Sequence, residues 1–396
     1  MKKLLLSVLM VMLAMPALAF EIPMPDGMSL KMYGQVRMNA VYDYKNVSNG
    51  TTNNIGSDFR MNWQGNSRFG INFSAGNFFA NAEMNVQPDQ IGKSIGFRQF
   101  YGGYTFENGL TLIAGNKTTL AGTKISNTVW YTDGGLAGFG AADDTRRPMI
   151  MVSYAGLDFA VVANGPDKHG ISYEYKNINE YTGLEETITT ANLSAEEYIP
   201  RFEVAYNLKF DNFTGKIAGT YGLYTQDRAN DGKRFNVHAW HVGLTGKYNF
   251  GNMYAGISAF YGMNASMYGA VELIDGEAQS YQTTNNRILD PWLIEDSVED
   301  VSTWGATVVF GVNVSEMIAL EVGGGWQQSY ADFFKNDKGD KTVVNGYGVY
   351  VQAPIKFAEG HFVITPEVGY FGRMSDAIDR RSMEELLAGA QVKVLF

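Results

Sequence analysis

The sequence predicts an all-β chain, a 16-stranded antiparallel transmembrane β-barrel. Three observations predict it. Long segments alternate apolar and polar residues with period 2. Connections alternate between tight turns and long polar stretches. Aromatic residues bracket most of the tight turns. Composition agrees: 45 Gly, 24 Phe and 23 Tyr in 396 residues, with only 18% charged, is unlike a soluble α/β enzyme. The chain has no Cys, which excludes a disulfide scaffold, a thiolate zinc site and a cysteine nucleophile. Its formal net charge is −10, and −12 once Lys2 and Lys3 are removed. Non-specific nucleic-acid partners are therefore not expected.

The first strand runs from Leu30 to Lys45. Leu30, Met32, Val36, Met38, Ala40, Tyr42 and Tyr44 share one face. Lys31, Tyr33, Gln35, Arg37, Asn39, Val41, Asp43 and Lys45 share the other, which is mostly polar. Such a strand is far longer than the usual five or six residues of globular sheets. Segments 201–210, 303–314 and 361–370 repeat the pattern. Their second faces carry Gly, Asn, Thr and Gln with few charges, as a water-filled interior requires. The chain ends in strand, with Ala388, Ala390, Val392, Val394 and Phe396 on one face. A barrel pairs this last strand with the first, because an open edge in lipid leaves backbone groups unpaired.

Tight turns fall near 75–77, 107–109, 155–156, 211–212, 251–252, 315–316 and 358–360. Longer stretches lie at 46–58, 88–94, 118–146, 165–198, 226–234, 268–300, 331–342 and 374–386. Seven turns and eight loops join sixteen strands. Short turns on one side and long loops on the other are the asymmetry of outer-membrane barrels. Phe73 and Phe78, Phe106, Tyr154 and Phe159, Phe210 and Phe213, Phe250 and Tyr254, and Phe357 and Phe362 flank turns. They match an interfacial aromatic girdle. Residues 1–19 read as a cleaved signal peptide: Lys2 and Lys3, an apolar run from Leu4 to Met15, Pro16, then Ala17-Leu18-Ala19. Residues 20–396 then form a single barrel domain.

Several short motifs resemble those of Gram-negative outer-membrane porins. They are Met32-Tyr33-Gly34-Gln35-Val36-Arg37, Ser67-Arg68-Phe69-Gly70, Phe97-Arg98-Gln99-Phe100-Tyr101-Gly102-Gly103, Leu110-Thr111-Leu112-Ile113-Ala114-Gly115 and the terminal Phe396. The opening strands also resemble the DcaP-like porins. The resemblance implies a homotrimer in the outer membrane, among lipid and lipopolysaccharide, passing small hydrophilic solutes. It also implies an inserted constriction loop. The matching stretch is 118–146, which carries Asp133, Asp143 and Asp144 and lacks the Pro-Glu-Phe-Gly-Gly motif of the general porins. In that family a basic ladder on the wall faces acids on the loop. Strand parity assigns Lys31, Arg37, Arg68, Arg98 and Arg147 to the ladder here, although Phe100 and Tyr104 share the parity of Arg98.

Further inward positions are Arg201, Lys209, Lys216, Lys247, Lys356, Arg373 and Lys393, against Glu203, Glu321 and Glu367. The long loops are acidic. Their charges are screened within about 8–10 Å at physiological salt, so the wall is expected to set a mild anion preference. The loop acids have two readings: solvated loops, or divalent-cation sites bridging lipopolysaccharide.

Catalysis is not expected. His169, His238, His241 and His361 have no metal-ligand spacing with carboxylates, and no hydrolase or phosphate-loop motif occurs. Gly134 to Gly140 reads as loop flexibility. No cofactor or metal is expected. Two alternatives to a diffusion channel stay open: a surface-display protein whose loops 165–198 and 268–300 bind outside partners, and a substrate-specific channel.

Overall fold

The computed structural model describes residues 20–48, 53–85, 96–129, 135–143, 146–163, 171–178, 185–193, 196–197, 199–227, 233–268, 292–294, 297–335, 341–375 and 382–396. Sixteen strands form a closed antiparallel barrel. They are β1 (Ser29–Ser48), β2 (Asn53–Trp63, resumed as Arg68–Ala75), β3 (Phe78–Asn85), β4 (Gly96–Thr105), β5 (Thr111–Thr118) and β6 (Arg146–Tyr154). Next come β7 (Leu157–Val162), β8 (Arg201–Phe210), β9 (Phe213–Asp227), β10 (Arg234–Phe250) and β11 (Met253–Met263). The last five are β12 (Val301–Asn313), β13 (Ala319–Lys335), β14 (Lys341–Gln352, resumed as Ile355–Phe357), β15 (Phe362–Ser375) and β16 (Ser382–Leu395).

Each strand pairs with its sequence neighbours, and β16 closes on β1 with Gln35 opposite Leu395 and Ser48 opposite Ser382. Beyond β16, the backbones of Gly34 and Phe396 exchange both hydrogen bonds, and Phe20–Pro23 continues the same edge opposite Met32–Ser29. Closure matters because each unpaired backbone group in hydrocarbon costs several kcal/mol. Among the described residues no helix is long and apolar enough to cross a membrane.

The outer face is an apolar band between two aromatic rings. Ile150, Val204, Ile217, Leu244, Ile257, Val308 and Val349 are all exposed on it. The turn-side ring includes the pairs Phe210–Phe213 and Phe357–Phe362, at 6.2 and 6.0 Å. The loop-side ring includes Trp240–Tyr261 and Trp326–Tyr347, at 5.7 and 5.8 Å. Tyr254 is the exception to the expected girdle. It points inward, where its hydroxyl meets Glu321 and Lys247 Nζ lies 3.7 Å from its ring centroid.

Three expected loops are largely strand. β1 and β2 enter 46–58, β13 and β14 enter 331–342, and β15 and β16 enter 374–386. Polar residues lengthen these hairpins, since ladder hydrogen bonds outside the membrane need no apolar face. The two longest loops are tied together. Ile171–Ile178 pairs with Glu185–Leu193 on one side and, in parallel, with Trp292–Ile294 on the other; Ser297–Glu299 completes this second sheet.

The interior is not uniformly polar. Inward-facing Ile113, Met149, Met151, Ala160, Val162, Ala205 and Ala218 form a buried cluster with Leu120. Strands β5 to β7 are apolar on both faces here, so alternation alone does not reveal an apolar wall.

Candidate functional site

The segment after β5 runs through the barrel interior and is held there by the wall. Three wall glutamates take its N–H groups. Leu120 N–H donates to Glu203 at 2.6 Å, Asn127 N–H to Glu321 at 3.0 Å, and Val129 N–H to Glu367 at 2.9 Å. The Asn127 side-chain amide also donates to Glu321, at 2.5 Å, and the Thr128 hydroxyl to Glu367, at 2.7 Å. Tyr350 and Gln352 complete the shell around Glu321. From β9, Lys216 Nζ donates to the carbonyls of Leu120 and Gly122 at 2.8 and 2.7 Å. His241 Nε2 lies 3.0 Å from the Ala121 carbonyl. Carboxylate acceptors make these bonds charge-assisted and stronger than neutral ones.

Residues 136–142 dock on a bed of wall glycines. A Cβ on Gly325 would lie 2.2 Å from the Phe139 carbonyl, and one on Gly346 2.4 Å from the Gly138 carbonyl. Gly140, at φ 123°, returns the fit: a Cβ there would lie 2.2 Å from the Ala306 carbonyl. Phe139 packs against Phe371 with tilted rings 5.1 Å apart, and Leu136, Phe139, Tyr350, Phe371 and Leu387 form a buried cluster. The described part of the Gly-rich run is thus a fitted contact, not a flexible one.

Of the expected ladder residues, Arg37, Arg68 and Arg98 lie on the part of the wall where β1 to β4 meet β16. Arg37 stands opposite Lys393 in the β1–β16 register and donates to Gln35 at 3.0 Å. Gln35 stands opposite Arg68. Arg68 Nε and Arg98 Nε reach Glu83 at 3.3 and 2.9 Å, and the Tyr33 hydroxyl donates to Glu83 at 3.1 Å. Arg98 gets there through a β-bulge. Glu83 pairs with Gln99 and Met84 with Phe97, leaving Arg98 between them while Phe97 and Phe100 both stay exposed outside. The extra residue re-aims one side chain, which reconciles Arg98 with the outward parity of Phe100 and Tyr104.

Arg146 adds charge within electrostatic reach of Arg98 and Glu83. Arg147 also faces inward, buried, opposite Lys117. Lys31 stands apart, toward the turns, 3.8 Å from Glu21. Of the loop acids, Asp143 pairs with Lys124 at 2.8 Å; Asp133 and Asp144 lie outside the described residues. Toward the mouth, Asp43 and Glu385 meet Arg60, and Lys45 reaches Glu385 at 3.5 Å.

Exposure divides the interior. Arg201 and Glu203 side chains are 0% exposed under the inner segment. Arg68 keeps 31%, and Lys124 and Asp143 keep 30% and 26%. The open strip therefore includes Arg68 of the ladder and the Lys124–Asp143 pair, with Arg146 within electrostatic reach of both. Glu83 and the loop-holding role of the wall glutamates are absent from parity reasoning. Parity gives a side chain's face, not its partner. Glu83 does sit on the polar alternation Asn81, Glu83, Asn85, which is signal enough to place it inside.

No protein-family model and no curated protein matches the chain. Solved structures do. The outer membrane channel DcaP of Acinetobacter baumannii superposes with a TM-score of 0.64 at 16% identity, over 95% of this chain and 99% of that one. The anion-selective porin from Comamonas acidovorans gives 0.52 at 10% identity, over 93% and 100%. OmpT, an outer membrane protein of Vibrio cholerae, gives 0.51 at 13% identity, over 95% and 100%. At these identities the likeness is one of fold: the chain has the porin barrel fold.

Proposed function

We propose that the chain is an outer-membrane channel for passive diffusion of small hydrophilic solutes, with a mild preference for anions. In this reading residues 1–19 are a cleaved leader, the mature barrels assemble as a homotrimer among lipid and lipopolysaccharide, and no cofactor takes part. The stretch 118–146 acts as the constriction loop. One observation carries the selectivity. Glu203, Glu321 and Glu367 hold the loop, while among the described residues Arg37, Arg68, Arg98, Arg146 and Lys393 gather on Glu83's part of the wall, and Asp143, which also acts on Arg146, is paired with Lys124. An ion in the open strip meets a surplus of positive charge at close range. Exposed charges on the acidic loops are screened within about a Debye length. A narrow pore lined by rings of charge selects by sign. The anion selectivity of the Comamonas porin is in keeping with this reading.

The test is reconstitution. Purified, heat-modifiable protein is added to planar bilayers, and liposomes carrying it are challenged with neutral sugars of rising size. Stepwise conductance and size-limited swelling are expected. A folded barrel that gives neither overturns the channel reading and favours surface display.

A further inference from the structure

β2 changes its pairing part-way along the wall. Its turn-side part, Arg68–Ala75, pairs with β1 on one side and with β3 on the other. Its loop-side part, Asn53–Trp63, pairs with β1 and, among the described residues, with no second strand. The change is made at residues 64–67. Gln64 N–H donates to the Arg37 carbonyl, and Ser67 N–H to the Gln64 carbonyl. The buried Gln64 side chain turns inward, accepting from the Gln391 amide at 2.6 Å and donating to the Val129 carbonyl at 3.5 Å. β3 ends opposite Arg68, with its Asn85 opposite Gly96 of β4. In an antiparallel strand about half the residues direct N–H and C=O to each side. Along residues 53–62 one side is therefore an edge.

That edge lies among outward apolar side chains. Met61 is 66% exposed, the most exposed large apolar side chain among the described residues, with Ile55 and Phe59 close behind; Phe97 and Phe100 stand exposed on β4 beyond the gap. Beside the edge the outer wall is small. Ala40 stands opposite both Met61 and Ala390, and Ala388 opposite Tyr42. Edges meant for water are blunted by Lys, Pro or a bulge. Residues 53–62 carry neither Lys nor Pro, and their register with β1 is unbroken. Arg60, their cation, reaches inward to Asp43 and Glu385. Lipid can cover the side chains, but hydrocarbon offers the edge no hydrogen bonds.

We infer that a second copy of this chain covers the edge, so that the loop-side wall above Arg68 and Arg98 is completed by a neighbouring barrel. The neighbour supplies backbone partners for residues 53–62 and an apolar surface for Ile55, Phe59 and Met61. The alanines of β1 and β16 let it approach closely. The contact is heterologous: edge on like edge would make a two-fold pair, whereas an edge on a different surface of the next copy closes into a ring. The inference rests on the homotrimer proposed above and adds that each pore wall is incomplete alone.

The chain has no Cys, so Phe59→Cys carries a single thiol. The full-length mature variant, purified and returned to lipid, is labelled with a maleimide benzophenone and irradiated. A covalent dimer is expected from Phe59→Cys and not from Ile257→Cys, an outward apolar position on β11. Met61→Arg is expected to shift trimer to monomer in sedimentation while heat-modifiability shows the barrel still folded. Dimer from both labelled positions, dimer from neither, or an unchanged trimer in Met61→Arg overturns the edge contact; where wild type still sediments as a trimer, the trimer reading survives it. Wild-type protein that sediments as a monomer overturns both. Conductance in planar bilayers reads the channel separately.

Discussion

Glu83 is the residue on which the ladder turns. It accepts from Arg68, Arg98 and Tyr33, so it neutralises part of the basic cluster that Arg37, Arg68, Arg98 and Lys393 form. Substituting Arg68→Gln removes one positive charge beside the open strip. At about 4 Å in water a unit charge is worth about 1 kcal/mol, so the anion-to-cation permeability ratio is expected to fall roughly fivefold. Glu83→Gln moves it the other way by a similar factor. Reversal potentials in a salt gradient check both. Arg37, Arg68 and Arg147 were legible from the sequence because a strand shows its faces by parity. Arg98 was legible only in part. A bulge adds one residue, and no local residue pattern announces that Met84 will pair with Phe97.

The inner segment stands or falls with its wall contacts. Glu321 gathers the Asn127 N–H, the Asn127 amide, two tyrosine hydroxyls and the Gln352 amide. Glu321→Ala leaves these donors without their acceptor, and lost bonds to a charged group cost about 1.5–3 kcal/mol each. Single-channel noise and mean conductance are both expected to rise as the segment loosens. Gly325→Val attacks the same element sterically, because its Cβ would overlap the Phe139 carbonyl. That variant is expected to conduct differently while its outer wall still folds. Unchanged conductance in both variants would mean that this segment does not limit flow. The stretch itself was recognisable in the sequence as a long connection after β5. Its seat was not, because the glycines that receive it lie on β12, β13 and β14, over a hundred residues away, and read locally as ordinary lumen glycines.

At the scale of the whole molecule, the barrel is specified by what each face meets. Val308, 58% exposed in the apolar band, has lipid as its solvent. Val308→Arg is expected to destabilise the barrel by about 2–4 kcal/mol, the cost of a cation at the bilayer midplane. Refolding titrations into lipid check this. Strand number and closure were readable because turns and loops alternate along the entire chain. The apolar interior cluster around Met149 and Met151 was not, because β6 carries methionine inside and isoleucine and valine outside, apolar on both faces, and gives alternation nothing to report.

We propose that the wall, not the acidic mouth, decides which ions pass. The reversal potential of the purified wild-type channel in a potassium chloride gradient is the test. An anion-directed potential is predicted, surviving neutralisation of the loop acids. A cation-directed potential would contradict it and transfer control to the Lys124–Asp143 side of the strip and to the loops above.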